Sequence, residues 1–144
     1  MQTLERAKKY CVYQERCQED MRDRLRIWGI RSADIESTIA DLITTGFINE
    51  ERFARIYCGS KFRQKKWGRI KITMELKKRQ LSEYCINAGL SEIEEDDYVQ
   101  MLETIIENKK EPNKTKNIFV KNKQIAAYCI GKGYEPELVW SLLR

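Results

Sequence analysis

Three stretches of this chain repeat one pattern of apolar residues, and that limits the architecture more than any single motif. The first runs Met21, Leu25, Gly29, Ile30; the second Ile72, Leu76, Gln80, Leu81; the third Ile125, Cys129, Gly133, Tyr134. Downstream, Ile35, Ile86 and Val139 share one position, and Ile39, Leu90 and Leu143 the next, without gaps. The offsets are 51 residues from Ile30 to Leu81 and 53 from Leu81 to Tyr134. Apolar residues four apart form the buried stripe of a short helix, and a glycine behind them is a left-handed stop. The apolar residue that follows plugs the core as the chain turns into a second helix. Ser32 and Ser82 are suited to cap that second helix, and Pro136 to open it. Each unit is therefore expected to hold a helix-turn-helix-like pair.

A further helix precedes each pair. Leu4 to Val12 supplies the first, with Leu4, Ala7, Tyr10 and Cys11 on one side. Asn49 caps the second, whose opening Glu50 and Glu51 suit the positive end of a helix dipole. The third starts at the capping-box string Ser91-Glu92-Ile93-Glu94, or restarts at Asp96, and runs through Tyr98, Met101, Leu102, Ile105 and Ile106. The expected fold is all-α: three tandem three-helix repeats, 1–47, 48–91 and 92–144, in an elongated, curved arrangement. A loop at 108–121 interrupts the third repeat and leaves its helix pair at 122–144. Only 7 Gly and 2 Pro in 144 residues disfavour a turn-rich β-barrel, and no strand alternation is present.

Charge is distributed unevenly along this helical frame. Residues 1–60 carry 10 basic and 10 acidic side chains; residues 61–80 carry 9 basic and 1 acidic; residues 81–107 carry 8 acidic and no basic. Residues 108–144 return to 8 basic and 3 acidic. Clustering of one sign exceeds what solubility needs and points to an acidic partner. The block at 61–79 is the main candidate, through Lys61, Arg63, Lys65, Lys66, Arg69 and Lys71, with Lys121 and Lys123 as a second group. Trp67 beside Gly68 reads as a packing plug before a base-stacking platform. No set of Asn, Gln and Arg is aimed at base edges, so sequence-specific reading is not indicated.

Catalytic chemistry is poorly served. The chain has no histidine, no Gly-rich phosphate loop and no nucleophile elbow. The acidic string Glu92, Glu94, Glu95, Asp96, Asp97 lacks the alternation of a calcium loop and reads as a solvated helix start. Five scattered cysteines without a C-x-x-C pair read as small core residues in a reducing compartment. We therefore expect no enzymatic activity, no cofactor and no metal. With a polar N-terminus and no long apolar run, the expected location is cytoplasmic, without membrane association.

The string Gly46-Phe47-Ile48-Asn49-Glu50-Glu51-Arg52-Phe53-Ala54 resembles the "G-hydrophobic-hydrophobic-D-D-x-x-F-A" signature of the RecX family. Trp67-Gly68-Arg69-Ile70 with Leu76 resembles that family's "K-G-x-x-x-I-x-x-x-L" segment, and three repeats of three helices are also the family's arrangement. Departures stand at Cys17, at Asn49 and Glu50, and at Gln80 where the family has glycine. The resemblance implies a regulatory protein that binds the RecA recombinase filament on single- or double-stranded DNA; the expected state of the chain is a monomer. It implies restraint of RecA's recombinase, ATPase and co-protease activities in DNA repair and the SOS response. The alternative reading of the residues is a stand-alone helix-turn-helix DNA-binding protein such as a transcriptional regulator, which dimerises on spaced half-sites.

Overall fold

The computed structural model describes residues 2–144. Nine α-helices and one π-turn make up the described residues, with no strand among them: α1 (Thr3–Tyr13), α2 (Gln18–Ile27), α3 (Ser32–Thr44), α4 (Glu50–Ser60), the π-turn Lys61–Lys65, α5 (Arg69–Lys78), α6 (Glu83–Leu90), α7 (Glu95–Lys110), α8 (Ile118–Gly131) and α9 (Pro136–Leu143). They form three tandem three-helix units, α1–α3, α4–α6 and α7–α9.

The threefold pattern has a backbone counterpart. Gly29, Gln80 and Gly133 all hold positive φ, at 79°, 61° and 103°. After each, the next amide donates back five residues: Ile30 to the Leu25 carbonyl, Leu81 to Leu76, Tyr134 to Cys129. The amides of Gly29, Gln80 and Gly133 donate back three residues, to Arg26, Lys77 and Ile130. This pair of bonds is the Schellman stop, and it satisfies carbonyls that a helix end leaves open. Met21, Ile72 and Ile125 are buried, as are Leu25, Leu76 and Cys129.

Several helix starts depart from expectation. Ser82 does cap α6, accepting from the Cys85 amide, and Asn49 caps α4 through the Arg52 amide. Ser32 does not cap α3; it is the first helical residue, and Arg31 holds the cap position without a side-chain bond. Ser91 closes α6 instead of opening α7, its hydroxyl donating to the Ala88 carbonyl. α7 begins at Glu95, with Glu94 at the cap position. The connection from α7 to α8 covers only 111–117, because Asn117 caps α8 one turn early through the Phe119 and Val120 amides.

Two hydrophobic cores hold the molecule. Ala7, Cys11, Met21, Leu25, Ile35, Ile39 and Leu42 of the first unit form one, joined by Ile48 from the connection to α4. The second runs through both following units, from Phe53 and Ile72 to Tyr98, Leu102, Val139 and Leu143. An aromatic column crosses from unit two into unit three: Phe62 stacks on Tyr98 at 5.9 Å, and Tyr98 meets Tyr134 at 5.1 Å. The joint between units one and two is more polar. Arg52 pairs with Glu15 at 3.0 Å, the Gln18 amide donates to Glu50 at 2.9 Å, and Arg79 faces Asp20 at 3.5 Å. Cys17 alone reaches across into the larger core. The accessible surface of 9059 Å² exceeds the roughly 7,800 Å² of a compact monomer of this mass, as an elongated body requires.

Candidate nucleic-acid interface

The basic block folds as the exit of α4, a widened turn and the entry to α5. Phe62 must reach the core while its neighbours stay wet, and the π-turn does this by adding a residue to the helical turn. Phe62 is buried, whereas Arg63, Lys65 and Lys66 are exposed. Lys66 ends the turn in the left-handed region at φ 60°, its amide donating to the Lys61 carbonyl. Trp67 is half-buried against the larger core, the packing role expected of it. Its ring also meets two ammonium groups, Lys61 Nζ at 5.2 Å and Lys71 Nζ at 4.7 Å from the centroid. Such contacts are favourable by about 0.5–1 kcal/mol at exposed sites.

Gly68 and Gly133 fasten this strip to the third unit by main chain alone. The Gly68 amide donates to the Lys132 carbonyl at 2.8 Å, and the Ile70 amide to the Gly133 carbonyl at 2.9 Å. A Cβ on Gly68 would lie 2.3 Å from the Gly133 carbonyl carbon; one on Gly133 would lie 2.4 Å from Lys71 Cβ. The Tyr134 hydroxyl donates to the Lys66 carbonyl at 3.0 Å. Tyr98 accepts from the Arg69 amide at 3.0 Å and donates to Glu135. Burial first, and then the bond to Glu135, push the Tyr98 phenol well above its ordinary pKa, so it stays a protonated donor.

The eight cations expected to bind a polyanion divide in two. Arg69 is committed internally, pairing with Glu95 at 3.0 Å and Glu135 at 3.1 Å while its guanidinium covers the Tyr98 ring at 3.8 Å. Among the described residues, no carboxylate lies within ion-pair distance of Lys61, Arg63, Lys65, Lys66, Lys71, Lys121 or Lys123. The acidic start of α7 therefore neutralises part of the surface and leaves most of the strip uncovered. Glu92 is taken by Arg55 at 2.7 Å, a contact the linear charge map did not single out. Lys121 and Lys123 lie near the start of α8, whereas the Gly133 clasp follows its end. Lys121 and Lys123 stand twelve and ten residues before Gly133, about 15–18 Å along the helix, so the second group is a patch apart from the clasp. Arg63 also borders an open groove of about 540 Å³ with Arg52, Arg55 and Asn49.

No helix among the described residues is long and apolar enough to cross a membrane. Cys11, Cys17, Cys58 and Cys129 are buried free thiols, as expected of core residues, while Cys85 is half-exposed.

Comparison with known proteins gives this geometry a family context. Residues 49–90 match the second three-helix domain of RecX. Over 130 residues, 90% of the chain, the sequence is 22% identical to the regulatory protein RecX of two strains of Bacillus cereus. The chain spans about half the length of these curated relatives, covering 48% of each. A crystal structure of RecX from Lactobacillus salivarius superposes with a TM-score of 0.85 at 21% identity, over 97% of this chain and 91% of that one. A crystal structure of a regulatory protein RecX superposes with a TM-score of 0.88 at 14% identity, over 96% of this chain and 70% of that one.

Proposed function

We propose that this chain, a RecX-family protein whose middle unit is that family's second three-helix domain, regulates the RecA recombinase by binding its filament on DNA. One observation carries the reading: the stretch 49–90, which matches the second three-helix domain of RecX, contains a strip of cations of which Arg69 alone is paired with internal carboxylates. On this reading Lys61, Arg63, Lys65, Lys66 and Lys71 meet phosphates or an acidic protein surface. Lys121 and Lys123 add a second contact, and Arg69 holds the strip's shape from behind. The protein acts without catalytic chemistry of its own, as a monomer in the cytoplasm, with 1–47, 48–91 and 92–144 as its modules. Its action is inhibitory, lowering RecA's recombinase, ATPase and co-protease output during DNA repair and the SOS response.

The test is ATP hydrolysis by RecA on single-stranded DNA, with and without this protein. A fall in the rate supports the reading, and a variant with Arg63, Lys65 and Lys66 all changed to Ala should lose most of the effect. Affinity for RecA-coated strand should fall steeply with salt, because displaced counterions drive such binding. Removing three phosphate contacts from a single strand should flatten the log–log slope by about 2. An unchanged hydrolysis rate with the wild-type protein at saturating concentration rejects the reading. Equal retention of naked duplex and RecA-coated strand would instead mark a DNA-binding protein with no filament preference.

A further inference from the structure

The third unit contains one turn of helix that the repeat does not require. α2 and α5 begin at Gln18 and Arg69, 51 residues apart, the same offset as their Schellman stops. The next offset, 53, would start α8 at residue 122, yet it starts at Ile118. The added turn contributes nothing to the core, whose α8 members are Ile125, Ala126 and Cys129. It is nevertheless well formed, since Asn117 caps it through two amides. Its side chains are apolar and exposed: Ile118 at 58%, Phe119 at 82% and Val120 at 45%. Along the chain they are flanked by Lys114, Lys116, Lys121 and Lys123, with no acidic residue between 114 and 123. None of these four lysines has an ion-pair partner among the described residues. The preceding loop is pinned in place, with Asn113 and Thr115 both donating to the Gln124 side-chain carbonyl at 2.9 and 3.1 Å.

We propose that this added turn and its lysines form a docking surface for single-stranded nucleic acid, with Phe119 stacking on a base and the lysines meeting the flanking phosphates. The inference rests on the nucleic-acid reading above and extends it to a second, chemically different patch. Charge complementarity selects a polyanion, and the exposed aromatic ring selects among polyanions. A duplex hides its base faces in its own stack, so Phe119 would gain nothing from it. A single strand offers a planar apolar face beside each phosphate, the combination that aromatic and cationic side chains recognise together without sequence preference.

The experiment is fluorescence anisotropy with a labelled twelve-nucleotide oligothymidine and a twelve-base-pair duplex. Four proteins are compared: wild type, Phe119→Ala, Phe119→Trp, and the Arg63, Lys65, Lys66 triple alanine variant. Phe119→Ala should weaken oligothymidine binding by on the order of ten-fold, the loss of one stacked base, and leave duplex binding unchanged. Phe119→Trp should restore binding and have its emission quenched by the oligonucleotide. The triple variant should weaken both ligands, since it removes charge alone. If Phe119→Ala binds both ligands as wild type does, or loses both equally, the docking surface is rejected while the strip at 61–71 stands. If Phe119→Ala loses affinity for poly-glutamate but not for oligothymidine, the patch takes an acidic peptide and the proposal fails. If wild type binds neither nucleic acid, the docking surface is rejected, while the filament reading is decided separately by RecA's hydrolysis rate. Far-ultraviolet circular dichroism should be the same for all four proteins, because every substituted side chain is exposed.

Discussion

Gln80 holds a left-handed backbone at φ 61° in a stop that its two counterparts make with glycine. For a residue with a Cβ this costs about 1–2 kcal/mol, part of which glycine would return through its freer unfolded chain. Gln80→Gly should therefore stabilise the protein by about 0.5–1 kcal/mol, raising Tm by about 2 °C in a thermal melt. The thiols give a second expectation. Burial raises Cys11 to about 11 and both Cys17 and Cys58 to about 12; it also raises Cys129. A thiol reacts as its thiolate, so iodoacetamide at pH 8 should modify Cys85 first in the native protein, as mass spectrometry of timed samples would show. At this scale the sequence was partly legible. Repeat alignment puts Arg31, Ser82 and Glu135 in one register, and these are the cap positions of all three second helices. Ser32 has a capping residue's chemistry but stands one place past that register, as the first residue of α3.

Between elements, the clasp at Gly68 and Gly133 is the most demanding contact. Gly68→Ala should cost about 3 kcal/mol, the upper range for forcing atoms into packed space, because the obstruction at 2.3 Å is main chain and cannot rotate away. Chemical denaturation would read the loss directly. Arg69→Ala removes two half-buried ion pairs and should cost about 1–2 kcal/mol, whereas Arg63→Ala should stay within about 0.5 kcal/mol. That contrast separates the cation that builds the surface from those that face outward. Composition alone could not make the distinction: both arginines sit in one run of basic residues. What divides them is Glu95 and Glu135, 26 and 66 positions downstream, brought together only by tertiary packing. The π-turn was hidden for a similar reason. Its cause is the need to bury Phe62 from within a string of charged neighbours.

For the molecule as a whole, the two cores imply unequal stability. The first unit has its own core and meets the rest through ion pairs, the hydrogen bond from the Gln18 amide to Glu50 and one buried cysteine; the other two units share apolar interior and an aromatic column. Exposed ion pairs contribute little, about 0–1 kcal/mol each, so the first unit should open separately. Native-state hydrogen exchange should show amides of α1–α3 exchanging through an opening of lower free energy than those of α4–α9. Uniform protection in all three units would contradict this. The threefold architecture was readable from apolar spacing, but the fusion of two units was not. Tyr98 and Tyr134 are 36 positions apart, and nothing in a linear pattern says that their rings meet. Trp67, in contact with both Lys61 and Lys71, has a practical consequence. A phosphate drawing those ammonium groups off the indole changes the field around the chromophore, so occupancy of the strip registers in the protein's own light emission, without a dye.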